Sequence, residues 1–370
     1  MNLRKWRTNF SDLSSEADQA TDMVILDKPE GEKILGLAWN CEKDSFLYHV
    51  ELPSHPIYNK RNILSLIASI FDPLGLLGPV TVNAKLIMQK LWQEKISWDE
   101  EIPIEILKLW KKYLEDLKSV NSFQIPRKII CNLTVNIQLH GFFDASQKAY
   151  AACVYMLSTD QSGKRHSQLI TAKSRVAPLK TISLPKLELS GAVLLTKVVE
   201  KVKESLLIPL DKTFYWCDST ITLCWIGNQP ARWNTFVANR VAEIQERSET
   251  GQWKHVNSED NAADILSRGT SAKSLFSSEF WWRGPNWLTQ DEVTWLNYME
   301  ICIDPPELKT KINLTVSMNK DWELFYRFSS LTRLQRVTAY ILRFINNTRK
   351  THTSIAQSYS FSKEIKTHLK

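Results

Sequence analysis

A chain of 370 residues, 43% hydrophobic and 24% charged, can bury a sizeable core and reads as globular, with room for two or three domains. Its net charge of +7 permits a phosphate-rich partner without demanding one. No apolar run approaches the ~20 residues of a membrane helix. The six cysteines are scattered without a Cys-x-x-Cys pair, so neither structural zinc nor a disulfide framework is indicated, and a soluble intracellular protein with reduced thiols is expected.

ILGLAWN (Ile34 to Asn40) and SFLYHVEL (Ser45 to Leu52) predict two strands about the turn CEKD. Apolar residues at helical spacing from Ile63 to Phe71 predict a helix, which Pro73, Gly75, Gly78 and Pro79 then break. Two more amphipathic helices follow over Val82 to Glu94 and Ile104 to Leu117, and SVNSFQIPRKI reads as a connector. A domain boundary is placed near residue 126, separating residues 1–125 from 126–270 and a remainder of 271–370.

The middle of the chain holds three β-rich runs, LTVNIQLHGFFDAS, AYAACVYMLS and SQLITAKSRV, the last two separated by the turn SGKRH. After Pro185 a helical stripe runs through Leu187, Val193, Leu194, Val198 and Val202. KTFYWCDS and QWKHV are strand-like, TFVANRVAEIQERS is helical between them, and NAADILSR opens a further helix. Three strands, a helix, a strand, helices, a strand and a helix make an α/β layout. Beyond Gly269 the text is Trp-rich and irregular (FWWRGPNWL), then comes a helix in LTRLQRVTAYILRFINN and a polar tail.

Asp144 and Asp218 each end a strongly apolar strand, Glu188 lies on an apolar helix, and Asp264 opens the NAADILSR helix. Burying a lone ionised carboxylate costs several kcal/mol, so such groups are paired or hold a cation. Four carboxylates without His or Cys suit Mg²⁺ or Mn²⁺. Each acid also has an ordinary explanation: Asp144 as a turn cap, Glu188 as a favourable first-turn charge, Asp218 as an N-cap, Asp264 as a first-turn acid.

Taken together and in order, GFFDAS, LPKLELSGA, WCDST and NAADILSRG resemble the four acidic motifs of the retroelement ribonuclease H domain. The flanks ILGLAWN, KRNILSLIASIFDPLGLLGPV and LWQEKISWDEEIP resemble the region joining reverse transcriptase to ribonuclease H in BEL/Pao retrotransposons. FWWRGPNWL resembles the segment preceding the integrase there. The resemblance implies a ribonuclease H-like mixed sheet flanked by helices, preceded by a mainly helical reverse transcriptase thumb and connection region. It implies endonucleolytic hydrolysis of the RNA strand of RNA/DNA hybrids with two Mg²⁺ (or Mn²⁺) ions, Asp144 bridging both, Glu188 and Asp218 on the first and Asp264 on the second. Lys173, Arg175, Lys186, Arg232 and Trp233 are candidate contacts to the hybrid, with solvated surface charge as the plain alternative for the cations. The alternative for the whole chain is a catalytically silent nucleic-acid-binding remnant.

The resemblance also implies polyprotein partners (reverse transcriptase and integrase segments), no membrane, and a cytoplasmic place in a virus-like particle or a nuclear one. The Tyr-x-Asp-Asp polymerase hairpin, an Asp-Thr-Gly or Asp-Ser-Gly peptidase loop and the integrase His-His-Cys-Cys module are all missing from the sequence. The loop before the last acidic motif, NSEDN, lacks the His that relatives carry there. His255 reads as a strand residue.

Overall fold

The structure, a computed structural model, describes residues 23–25, 35–52, 58–295, 305–309, 327–328 and 330–349. Strands β1 (Met23–Ile25), β2 (Leu35–Asn40), β3 (Ser45–Val50) and β4 (Gln124–Pro126) form an antiparallel sheet in that order. The hairpin β2–β3 turns where CEKD predicts it, and Asp44, with φ of +45°, takes the Trp39 indole N–H at 3.0 Å and the Arg127 guanidinium at 2.6 Å. Strand β4 lies inside the segment expected to be only a connector. Pairing with β3 supplies its backbone partners, which local composition cannot reveal.

Helices α1 (Lys60–Ala68), α2 (Gly78–Gln93) and α3 (Ile104–Leu117) follow the expected periodicity, with one difference. Gly78 and Pro79 do not break the chain but occupy the first turn of α2, where a missing N–H leaves no bond unmade. The bend is therefore confined to residues 69–77. Asp72 holds it together by accepting the Tyr48 hydroxyl at 2.9 Å and the Leu77 N–H at 3.0 Å. Burial pushes its carboxyl up to about 6. Gly75, with φ of +70°, is required twice over, because a Cβ there would stand 1.8 Å from the Ala172 carbonyl oxygen.

The second sheet has five strands in the order β7 (Arg165–Val176), β6 (Ala149–Asp160), β5 (Thr134–Ala145), β8 (Lys212–Cys217) and β9 (Trp253–His255). β5, β6 and β7 are an antiparallel meander, and β8 and β9 run parallel to β5. Helices α4 (Leu184–Ser205), α5 (Thr220–Ile226), α6 (Thr235–Arg247) and α7 (Ala263–Arg268) connect and follow these strands; α4, α6 and α7 stand where the sequence predicts them, and α5 is a short helix it does not single out. The outer edge at β7 is covered: the Leu74 carbonyl accepts from the Ala172 N–H at 2.8 Å and the Thr171 hydroxyl at 2.9 Å.

Alternation along β5 divides the core. Ile137, Leu139 and Phe143 pack with α4 and α6, whereas Phe142 joins Tyr155 and Trp216 in a core running from Leu37 to Trp295. The Trp-rich stretch that looks irregular in sequence closes this second face through α8 (Ala272–Phe276), α9 (Glu279–Arg283) and the turns after them. Trp287 meets Trp216 at 4.6 Å between ring centres, and Tyr155 donates its hydroxyl to the Trp281 carbonyl at 2.8 Å. The Trp281 indole in turn donates to the Leu76 carbonyl at 2.9 Å, binding the loop before α2 to the far end of the unit.

A polar thread crosses this apolar face. The Trp216 indole donates to His140 Nδ1 at 3.1 Å, His140 Nε2 lies 3.2 Å from Gln138 Oε1, and the Gln138 amide donates to Glu292 at 2.7 Å. The indole bond fixes the proton on Nε2 of a neutral ring, and burial pushes His140 down to about 3.

The chain divides into two units, residues 1–309 and 310–370. In the second, the described element is the helix Leu331–Arg349 expected from LTRLQRVTAYILRFINN. No helix among the described residues is long and apolar enough to cross a membrane.

Candidate active site

The parallel register Phe142↔Trp216 between β5 and β8 decides where the first two acids lie. Two residues further on come Asp144, still within β5, and Asp218, just past the end of β8, so both lie at the same end of neighbouring strands. Asp144 is 7% exposed and accepts a hydrogen bond from the Ser267 hydroxyl of α7. Burial is the main force pushing its carboxyl up to about 6, and repulsion from Asp218 and Asp264 adds to it.

Asp218 accepts from the Ser258 hydroxyl at 2.8 Å and from the Asn261 amide at 3.2 Å. Asn261 is fully buried, and the same amide donates to the Phe143 carbonyl at 3.0 Å, so it pins the loop before α7 to β5. Glu188, on α4, faces the start of α5, where the Thr222 hydroxyl stands 3.4 Å away. Burial raises its carboxyl, opposed by the Ser219 hydroxyl, and Asp218 and Asp144 raise it further. Asp264 lies in the first turn of α7 and holds Arg268 at 2.5 Å. All four acids are thus electrostatically connected, brought together from two strand ends and two helices.

Three of the ordinary explanations fail. The turn after β5 is capped by Ser146, whose hydroxyl accepts from the Lys148 and Ala149 N–H groups at 3.2 Å, and not by Asp144. Helix α5 is capped by Ser219, accepting from Thr222 N–H at 3.2 Å, and not by Asp218. Glu188 lies beyond the first turn of α4, which contains no acid. Only Asp264 retains its ordinary role, as a first-turn acid paired one turn on with Arg268.

Whether these residues fit a divalent cation is a question of donor chemistry. Among the described residues, no three His, Cys, Asp or Glu side chains are gathered closely enough to form a ready-made metal site. The carboxylates are turned to Ser267, Ser258, Asn261 and Arg268 instead. Yet the donors are all hard oxygens, they repel one another, and no described cation forms an ion pair with Asp144, Glu188 or Asp218. That is the donor set for Mg²⁺ or Mn²⁺.

The candidate substrate contacts fare unevenly. Lys173 and Arg175 are exposed on β7. Lys186 is held by Glu307 at 2.7 Å, and the Arg232 guanidinium donates to Asn228 at 2.5 Å. Trp233 is 1% exposed, with its indole donating to the Trp225 carbonyl at 3.2 Å, so it is a core residue with no open ring face to offer a base. Its apolar neighbours Phe236, Val237 and Val241 at helical spacing were the available sign of burial. Sequence reasoning missed Ser267, Ser258 and Asn261, small polar residues whose importance depends on contacts 40 to 123 residues away. His255 closes β9, in keeping with its strand-like surroundings.

Residues 59–219 match the family model of the Pao retrotransposon-like RNaseH-like domain. The matched stretch, 161 of the 370 residues, resembles a Pao-type retrotransposon ribonuclease H region. The match begins at α1 and contains Asp144, Glu188 and Asp218, and the mixed five-stranded sheet with flanking helices is the ribonuclease H-like fold. Among solved structures, the chain is similar to LC11-RNase H1 isolated from compost by a metagenomic approach, at 15% identity over 38% of this chain and 98% of that one, TM-score 0.27. A structure of LC11-RNase H1 in complex with RNA/DNA hybrid matches at 14% over 38% and 99%, TM-score 0.26. The N-terminal RNase H domain of a Mycobacterium tuberculosis protein matches at 12% over 38% and 98%, TM-score 0.25. No curated protein sequence matches the chain.

Proposed function

We infer that this ribonuclease H region hydrolyses the RNA strand of RNA/DNA hybrids by two-metal catalysis. The observation that carries the reading is the electrostatic coupling of Asp144, Glu188, Asp218 and Asp264 at one sheet edge, the first three in no ion pair with a described cation and none of those three filling the capping or first-turn role that its local setting suggests. Following the family resemblance, Asp144 would bridge both ions, Glu188 and Asp218 would hold the first, and Asp264 the second. When bound, such a pair of ions supplies an activated water and charge stabilisation for in-line phosphoryl displacement.

The protein's own residues do the positioning. Ser267 fixes one oxygen of Asp144, and Ser258 and Asn261 fix both oxygens of Asp218, which limits the carboxylate rotations available before substrate arrives. Arg268 shields Asp264, so that side chain must exchange its partner to take up a ligand role. A purified chain should cleave a labelled hybrid only when Mg²⁺ or Mn²⁺ is added, and Asp144→Asn should abolish the cleavage. Equal activity of the two proteins would sink the assignment, and metal-independent hybrid binding without cleavage would mark a silent remnant instead.

A further inference from the structure

The acid cluster must admit a polyanion, so the cations free to receive it matter as much as the acids. On the α4 side the nearest candidate is already used: Lys186 is paired with Glu307, whose backbone carbonyl also accepts the Asn234 N–H at 2.9 Å. Arg268 is likewise committed to Asp264. On the opposite side, a cleft of about 600 Å³ opens between α2, α3 and the β5–β6 turn. Lys90 of α2, Lys112 of α3 and Lys148 of the turn line it, all exposed, and none forms an ion pair with a described carboxylate. Asp116, the acid on its wall, has a carboxylate oxygen engaged by the Ala272 N–H at 2.7 Å.

The cleft adjoins the site covalently at two points. Lys148 lies four residues after Asp144 in the turn that Ser146 caps, and Thr270, also lining the cleft, comes shortly after Ser267 and Arg268 of α7. The Ser146 hydroxyl donates to the Ser267 carbonyl at 2.9 Å, and the Asn83 amide of α2 donates to the Thr270 carbonyl at 2.9 Å, so both rims are fixed to the framework that holds Asp144. Three cations on three elements lining one cleft, in no ion pair with a described carboxylate, are complementary to a phosphodiester backbone.

We propose that the α2–α3 cleft is a backbone-binding subsite that carries the RNA/DNA hybrid away from the acid cluster, through phosphate contacts of Lys90, Lys112 and Lys148. The subsite rests on the hybrid-nuclease reading and assigns part of the substrate grip to helices outside the five-stranded sheet.

The test compares the full chain with the triple variant Lys90→Gln, Lys112→Gln, Lys148→Gln and with a charge-matched control, Lys43→Gln, Lys108→Gln, Lys203→Gln. Binding of a fluorescent hybrid of about 24 base pairs, in chelator so that nothing is cut, is measured across salt concentrations; losing three phosphate contacts lowers the salt slope by roughly 2 to 3 and weakens binding about tenfold near 0.1 M salt. The control keeps the parent slope. In Mg²⁺ the cleft variant raises KM and leaves kcat within about twofold, because the acids are untouched. Equal salt slopes for the cleft variant and the control, with unchanged melting temperatures, overturn the subsite. A parent chain that binds hybrid but never cleaves it overturns the nuclease reading alone, because the slope comparison is made without catalysis.

Discussion

Replacing Asp144 by Asn should stabilise the metal-free fold at alkaline pH, because the ionised carboxylate is held in a buried place. Its folded carboxyl titrates at about 6 against 3.8 for the free group, chiefly through that burial. The folded state therefore holds a proton more tightly than the unfolded one between these values, and above pH 6 the ionised, buried form costs stability. Two units at ~1.4 kcal/mol each make about 3 kcal/mol at pH 8, recovered as pH falls through 6 and fully regained below 3.8. Asp144→Asn keeps an oxygen for the Ser267 hydroxyl and removes the charge. In chelator at pH 8 the variant should melt higher than the parent by about 6 °C, at ~2 °C per kcal/mol for a unit of this size. At pH 4.5 the difference should shrink to about 1 kcal/mol, or about 2 °C. Scanning calorimetry at both pH values reads this directly, and added Mg²⁺ should raise the parent's melting temperature and not the variant's. A variant that is less stable at pH 8, or a difference that ignores pH, would refute the reasoning.

His140 should oppose this trend. Its folded value of about 3 lies below the free 6.5, so the unfolded chain takes up the proton first, and stability drains away as pH falls from 6.5 towards 3, by up to roughly 5 kcal/mol. His140→Leu should cost about 2 kcal/mol at pH 8 by orphaning the Trp216 indole N–H, yet lose stability less steeply between pH 6 and 4 in urea titrations. Gly75→Ala should destabilise by more than about 2 kcal/mol, since it imposes both a disfavoured φ and a backbone clash with Ala172; a melting curve unchanged within error would disprove the account of the loop. A chain trimmed to residues 126–270 should expose Phe142, Tyr155 and Trp216, bind a hydrophobic dye and aggregate, whereas a monomeric, cooperatively melting fragment would show that the cover is dispensable.

The second sheet and its helices were legible because each run carries its own period, two for strands and 3.6 for helices. The acids were legible only as an ordered set, since each lies in a local setting that a capping residue would also occupy. What stayed hidden depends on distant partners. Strand β4 is three residues whose strand character comes from β3, and Trp233 differs from an exposed Trp only through the helix that packs over it. The stretch around FWWRGPNWL has no period because its tryptophans serve one surface from several short turns. Gly78–Pro79 looks like a breaker and is a helix start, a distinction that depends on whether the N–H was needed.

The hydrogen bond from Trp281 to Leu76 spans 205 residues, and Trp287 and Trp295 close the same face of the sheet. During synthesis, β5 to β9 therefore emerge with one side uncovered, and that core closes only when the chain has passed Trp295. Any protease that separates this region from a downstream segment has to cut beyond that tryptophan. A cut between residues 270 and 295 would leave all four acids in the released piece and take away the surface that keeps their sheet folded.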